Sequence, residues 1–110
     1  MNVWLDDKRP MPLGYSVHVT NAHDAIKLLR CGLVKLISLD HDLGDEAVTG
    51  TGYHVAQAIE ELAHAKKLRR ITVYVHTQNP VGRQNIEAAI ASAQRAWEQG
   101  GLPRRRNPCA

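Results

Sequence analysis

The sequence predicts an α/β domain: an open, mainly parallel sheet of about four strands with helices on its faces. Two observations carry this. Short runs rich in Val, Ile and Leu alternate with longer stretches whose apolar residues recur every three or four positions. Most of the apolar runs then break off in carboxylates or imidazoles. The 110 residues have the length of one domain and can bury one modest core. Hydrophobic residues make up 44% and phenylalanine is absent, so the core has to be mainly aliphatic.

The first strand is "NVWL", residues 2–5, stopped by Asp6 and Asp7. "KRPMPLG" then reads as a loop, with two prolines and a glycine. Residues 15–19 form the second strand. Thr20 or Asn21 can cap the helix that follows, whose Ala22, Ala25, Ile26 and Leu29 share one face before Gly32 ends it. Residues 34–39 are the third strand, and the polar stretch 40–52 is a loop. Residues 53–67 form a second helix, with Val55, Ala58, Ile59 and Leu62 on one side. Residues 71–75 are the fourth strand. Asn79 and Pro80 look like the cap and first turn of a third helix, on which Ile86, Ile90, Ala93 and Trp97 align before Gly100. The link between the first two strands, residues 8–14, has no room for a crossover helix. Seven extended residues reach about 25 Å, so a parallel pair is within reach, with an antiparallel pair as the alternative.

The net charge of +3 is too small to diagnose nucleic-acid binding. Residues 1–102 read as the domain and 103–110 as a basic tail. Its Arg104 to Arg106 are a solvated terminus or, functionally, an arm that steers phosphates. The only two cysteines, Cys31 and Cys109, lie far apart, which points to a reducing cytoplasm rather than a disulfide framework. No run is long and apolar enough for a membrane span, and the opening residues read as a strand rather than a signal peptide. A protein partner is not indicated, although the second strand would leave a sheet edge available.

In a parallel sheet the C-terminal strand ends lie along one edge, where ligands bind. The first strand delivers Asp6 and Asp7 there, the third Asp40, His41 and Asp42, and the fourth His76, Thr77 and Asn79. Clustered carboxylates persist mainly where a cation binds them, and oxygen ligands suit Mg²⁺ or Mn²⁺. Asp6, Asp7 and Asp40 are therefore the candidate metal ligands. His41 and His76 titrate near neutrality, as a general acid and base should, and Asp42 can orient one of them or complete the metal shell. With the turn at "DLG", both imidazoles are expected to face one pocket with the Asp40 carboxylate. The start of the third helix favours a phosphate. Arg9, Thr77, Asn79, Gly82 and Arg83 are the candidate phosphate contacts. His18, His23, His54 and His64 fall within elements and read as structural or exposed.

Four motifs, "LDDKRPMP", "ISLDHDLG", "TGTGYHV" and "VHTQNPVGRQNI", resemble the cyclic-phosphate processing receiver domains over roughly residues 3–98. The acidic pair and Asp40 are similar to the Mg²⁺-binding aspartates of response-regulator receivers, with Asp40 at the phosphoacceptor position. The resemblance implies a receiver-like, flavodoxin-like sheet in the order 2-1-3-4. It also implies activity on cyclic phosphates in an RNA-end repair context. Three features depart from true receivers: no fifth strand with its lysine follows the fourth strand, the first crossover helix is missing, and His41 and His76 are foreign to the receiver pattern. The expectation is a metal-dependent phosphoesterase acting on 2′,3′-cyclic phosphate RNA ends or cyclic nucleotides. The alternatives are a phosphoacceptor module at Asp40 and a non-catalytic binder of cyclic nucleotides.

Overall fold

The computed structural model describes residues 1–100; the basic tail expected at 103–110 lies outside the described residues. Strands β1 (Asn2–Leu5), β2 (Val17–Val19), β3 (Leu36–Leu39) and β4 (Thr72–Val75) form one sheet in the order β2-β1-β3-β4. Every pair is parallel, including β1 with β2, where Val3 stands opposite Val17. The short link achieves this because Asn2 anchors its return. The Asn2 side chain donates to the Gly14 carbonyl at 2.9 Å, and Ser16 N–H donates to the Asn2 carbonyl at 2.9 Å.

Helices α1 (Ala22–Cys31), α2 (Glu46–Thr49), α3 (Gly52–His64) and α4 (Pro80–Glu98) complete the described chain. Asn21 caps α1, and Gly32 ends it in the left-handed region at φ 76°. Asn79 caps α4, with Pro80 in its first turn. The 40–52 segment is more ordered than its loop-like composition suggests. Asp45 caps the single turn of α2, and Asp42 forms an isolated antiparallel bridge with Thr51. Thr51 and His54 then make a reciprocal capping box at the start of α3.

The three long helices share one face of the sheet: α1 packs on β1, α4 on β4, and α3 lies between α1 and α4. Handedness explains this. The helical crossovers β2-α1-β3 and β3-α3-β4 run in the same direction across the sheet, so right-handed connections put both helices on the same side. The connection in the opposite direction, β1 to β2, contains no helix. Along the strands, Val3, Leu5, Ile37 and Leu39, all fully buried, point into the helices with Val73 and Val75 packed beside them. The alternate row, His18, Trp4, Ser38 and Tyr74 in direct register across the sheet, points to the side without helices. That row leads to the functional edge.

Candidate functional site

Strand periodicity carries the side chains of the helix-free face onward by two residues: Trp4 to Asp6, Ser38 to Asp40, Tyr74 to His76. Asp6, Asp40 and His76 consequently meet, each offering a ligand atom within 4.8 Å of the others. Asp6 is 1% exposed, and its carboxylate is almost fully used. Its Oδ1 accepts the Lys8 and Arg9 amides at 2.8 Å each, and its Oδ2 lies 2.9 Å from His76 Nε2. Burial pushes the Asp6 pKa up, but the hydrogen bonds from Arg9, Lys8 and His76 outweigh it and hold the carboxyl below its ordinary range.

His76 is fixed from every side. Its Nδ1 lies 2.7 Å from the Ser38 hydroxyl, and its ring stacks on the Trp4 indole with centroids 3.9 Å apart and planes within 6°. Its carbonyl accepts Arg9 Nη1 at 2.7 Å, and the Trp4 indole N–H donates back to the Arg9 carbonyl at 3.2 Å. Burial lowers the His76 pKa, outweighing the Asp6 hydrogen bond and the nearby carboxylate charges that raise it. An ionised carboxylate can only accept, so Nε2 carries a proton and donates it to Asp6, while Nδ1 and the Ser38 hydroxyl share the second hydrogen bond. Ser, His and Asp here form a hydrogen-bonded row, but the serine is the buried end at 2% exposure, which rules it out as a nucleophile.

His41 follows a different course. Alternation sends its ring to the helix side, against Gly82 at the start of α4. A Cβ on Gly82 would stand 2.5 Å from that ring, and a Cβ on Gly52 would collide with the Asp40 carbonyl. These two glycines are where α4 and α3 press against the Asp40–His41 pair, and close approach of this kind needs a residue without a side chain. His41 Nδ1 lies 2.9 Å from Asp42 Oδ1. That hydrogen bond lowers the Asp42 pKa against its partial burial, with Asn79 helping. Asp40 Oδ1 accepts the His41 amide at 2.8 Å.

A cleft of about 370 Å³ opens between these groups, lined by Asp6, Asp7, Lys8, Arg9, Asp40 and Asp42 with the 77–79 turn. Neither imidazole lines it. Each stands behind a carboxylate that does, His76 behind Asp6 and His41 behind Asp42. Asp7 lines the cleft but lies outside the Asp6–Asp40–His76 group. Among the expected phosphate contacts, Arg9, Thr77 and Asn79 border the cleft. The Gly82 amide is used by the Asn79 cap at 2.9 Å. Arg83 turns to the Thr77 carbonyl at 3.1 Å and to Glu87 at 3.8 Å, on the β4 side of α4.

Lys8, Ser38 and Trp4 are site residues that the sequence reading passed over. The signal for Ser38 and Trp4 was their position two residues before Asp40 and Asp6. His18 also reaches this edge: its Nε2 lies 2.8 Å from the Asp6 carbonyl. His54 serves its capping box, and His64 lies 2.9 Å from the Ser92 hydroxyl.

The donor set suits a divalent ion. Asp6, Asp40 and His76 would hold it, each with a ligand atom within 4.8 Å of the others. Asp40 keeps its second oxygen without a hydrogen-bond partner among the described residues. No helix of the described residues is long and apolar enough to cross a membrane.

Comparison with known proteins fits this architecture. The family described as the cyclic-phosphate processing receiver domain matches residues 1–92. Comparisons with curated proteins and with solved structures gave no match. The parallel sheet, the acidic strand ends and this match agree: the chain belongs to the cyclic-phosphate processing receiver domain family.

Proposed function

We propose that the protein is a metal-dependent phosphoesterase that opens cyclic phosphates, at 2′,3′-cyclic RNA ends or in cyclic nucleotides. The observation that carries this reading is the convergence of Asp6, Asp40 and His76 at a polar cleft that also presents Lys8 and Arg9. Family membership supports a cyclic phosphate as the substrate class.

Asp6 and Asp40 hold a divalent ion, Mg²⁺ or Mn²⁺, with Asp7 or His76 completing the set. When bound, that ion offsets the phosphate charge and makes a bound water more acidic. Lys8 and Arg9 bring positive charge to the non-bridging phosphate oxygens. The backbone of the 77–79 turn orients the ester across the cleft. The Asp42 carboxylate, which lines the cleft and is held from behind by His41 Nδ1, accepts the proton of the attacking water. The new P–O bond forms as the bond from phosphorus to one ribose oxygen breaks. That oxygen takes a proton from solvent, and Asp42 later releases its own, so the product is a phosphate monoester. His76 keeps the Asp6 carboxylate ionised and aimed.

The test is incubation with 2′,3′-cyclic nucleotides and a panel of divalent ions, following monoester formation. Catalytic turnover that requires an ion and falls in Asp40→Asn supports the reading. Stoichiometric labelling of Asp40 would replace it with a phosphoacceptor role, and binding without turnover would replace it with a non-catalytic one.

A further inference from the structure

The Asn79 side chain touches two parts of the molecule at once. Its Oδ1 accepts the Gly82 amide at 2.9 Å and so caps α4. A backbone N–H can donate only to the oxygen end of the side-chain amide, so this bond fixes which way the amide points. Nδ2 is left facing Asp42, 3.4 Å from Oδ2 and 3.5 Å from Oδ1, with His41 Nδ1 also at 3.5 Å. The backbone of Asn79 is anchored as well. Its amide donates to Thr77 Oγ1 at 3.2 Å, and its carbonyl accepts the Arg83 amide at 2.9 Å. The side chain expected to meet a phosphate is therefore turned towards a carboxylate.

Asp42 has need of such a partner. Its side chain is 67% exposed and shares the cleft with the carboxylates of Asp6, Asp7 and Asp40, whose like charges push it outward. His41 holds it at 2.9 Å, but His41 is the adjacent residue and moves with the same segment. Asn79 comes from 37 residues away and ties the carboxylate to the first turn of α4. Its contact is long and shared between both oxygens, so it steers the carboxylate without occupying it.

We propose that Asn79 is a positioning residue: one end of its amide caps α4, and the other sets the Asp42 carboxylate at the cleft. This rests on the reading that Asp42 takes the proton of the attacking water. The two tasks can be separated by substitution. Asp and Ser cap a helix about as well as Asn, and Ala does not. Asn79→Asp and Asn79→Ser therefore keep the cap and lose the donor. The first puts a carboxylate oxygen where the donor stood, and the second removes the donor without adding charge. Asn79→Ala loses both. A residue that only capped the helix would make rate follow stability across the three variants; a positioning residue divides one from the other.

The experiment combines urea denaturation, steady-state kinetics on a 2′,3′-cyclic nucleotide with Mg²⁺ or Mn²⁺, and ¹⁵N NMR of the side-chain amides. Asn79→Asp and Asn79→Ser should keep the wild-type urea midpoint, and Asn79→Ala should fall below it. All three should lose about 10- to 100-fold in kcat, the loss expected when a catalytic group is displaced by about 1 Å. In Asn79→Ser, KM should stay near the wild-type value. In Asp42→Ala, the Asn79 side-chain amide resonances should move while the Gly82 amide, held by the cap, stays in place. Full kcat in Asn79→Ser overturns the proposal and leaves Asn79 as a cap alone. A raised KM at unchanged kcat overturns it in favour of a phosphate contact. Asn79 amide resonances that ignore Asp42→Ala overturn it whatever the kinetics show. A wild type that turns over no cyclic phosphate with any divalent ion overturns the proposed activity, and this role with it.

Discussion

The two faces of the sheet are built from the same strands and do different work. On the helix side, Val3, Leu5, Ile37 and Leu39 are fully buried beneath α1, α3 and α4. On the other side, Trp4, Ser38 and Tyr74 stand in a row that includes an exposed aromatic, Tyr74 at 54% exposure, and leads to Asp6, Asp40 and His76. One face supplies stability through apolar area. The other uses the strands as rulers, setting three functional groups at matched heights. Asp6 and Ser38 on this second face are buried too, but hydrogen bonds to the Lys8 and Arg9 amides and to His76 satisfy them.

The largest effects expected fall on catalysis. His41→Ala and His76→Ala, each removing the imidazole behind a cleft carboxylate, should each lower the rate of cyclic-phosphate hydrolysis by about 10- to 100-fold. They should differ in a second respect: only His76→Ala should also weaken ion binding, because only His76 shares a face with Asp6 and Asp40. Calorimetry giving equal ion affinity for the two variants would break the assignment of the histidines to opposite faces.

Stability tests the contrast directly. Ile37→Ala should cost about 2–5 kcal/mol by urea denaturation, since it leaves a cavity under three helices. Tyr74→Ala, on the face without helices, should cost well under about 1 kcal/mol. Similar losses at the two positions would show that something covers the second face in solution.

Gly82→Ala sharpens the boundary between the faces. Its new Cβ has to displace the His41 ring, at a cost of about 1–3 kcal/mol. The His41 resonances should move while those of His76 stay in place. If both move, the two imidazoles are coupled.

The smallest effect is a pH dependence. The folded pKa of His76 lies below its unfolded value, so the folded protein binds fewer protons in that window. The resulting stability is present above about pH 6.5 and is lost as pH falls from there through the folded value. Asp6, also lowered, contributes stability above its unfolded value that is lost as pH falls through its folded one. Urea midpoints should therefore decline on acidification in two stages, and the first stage should be missing in His76→Ala. A single stage unchanged by that substitution would contradict the assignment.

Much of this was legible in the sequence. The alternation of strand and helix patterns, the caps at Asn21 and Asn79 and the acidic strand ends all declare themselves locally. Other features needed the register between strands. Ser38 reads as a filler inside "LISL" until it is known to stand opposite Trp4 and Tyr74, beneath His76. The single-turn α2 is too short to show a period. The position of His41 was implied by simple alternation, which places it opposite Asp40. The expectation of a bend at "DLG" set that rule aside, yet the chain keeps to it, and Gly82 leaves room for the ring.

The stack of Trp4 on His76 also makes the site visible. The chain has two tryptophans, and they sit in unlike surroundings. Trp97, buried in α4, donates its indole N–H to the Leu68 carbonyl at 2.8 Å. Trp4 lies face to face with the imidazole at 3.9 Å. An excited indole is sensitive to the electron density of a ring in direct contact. Emission from Trp4 should therefore follow any event that alters His76, whereas emission from Trp97 should not. A Trp97→Phe variant would then report on the cleft by fluorescence alone, with no label attached.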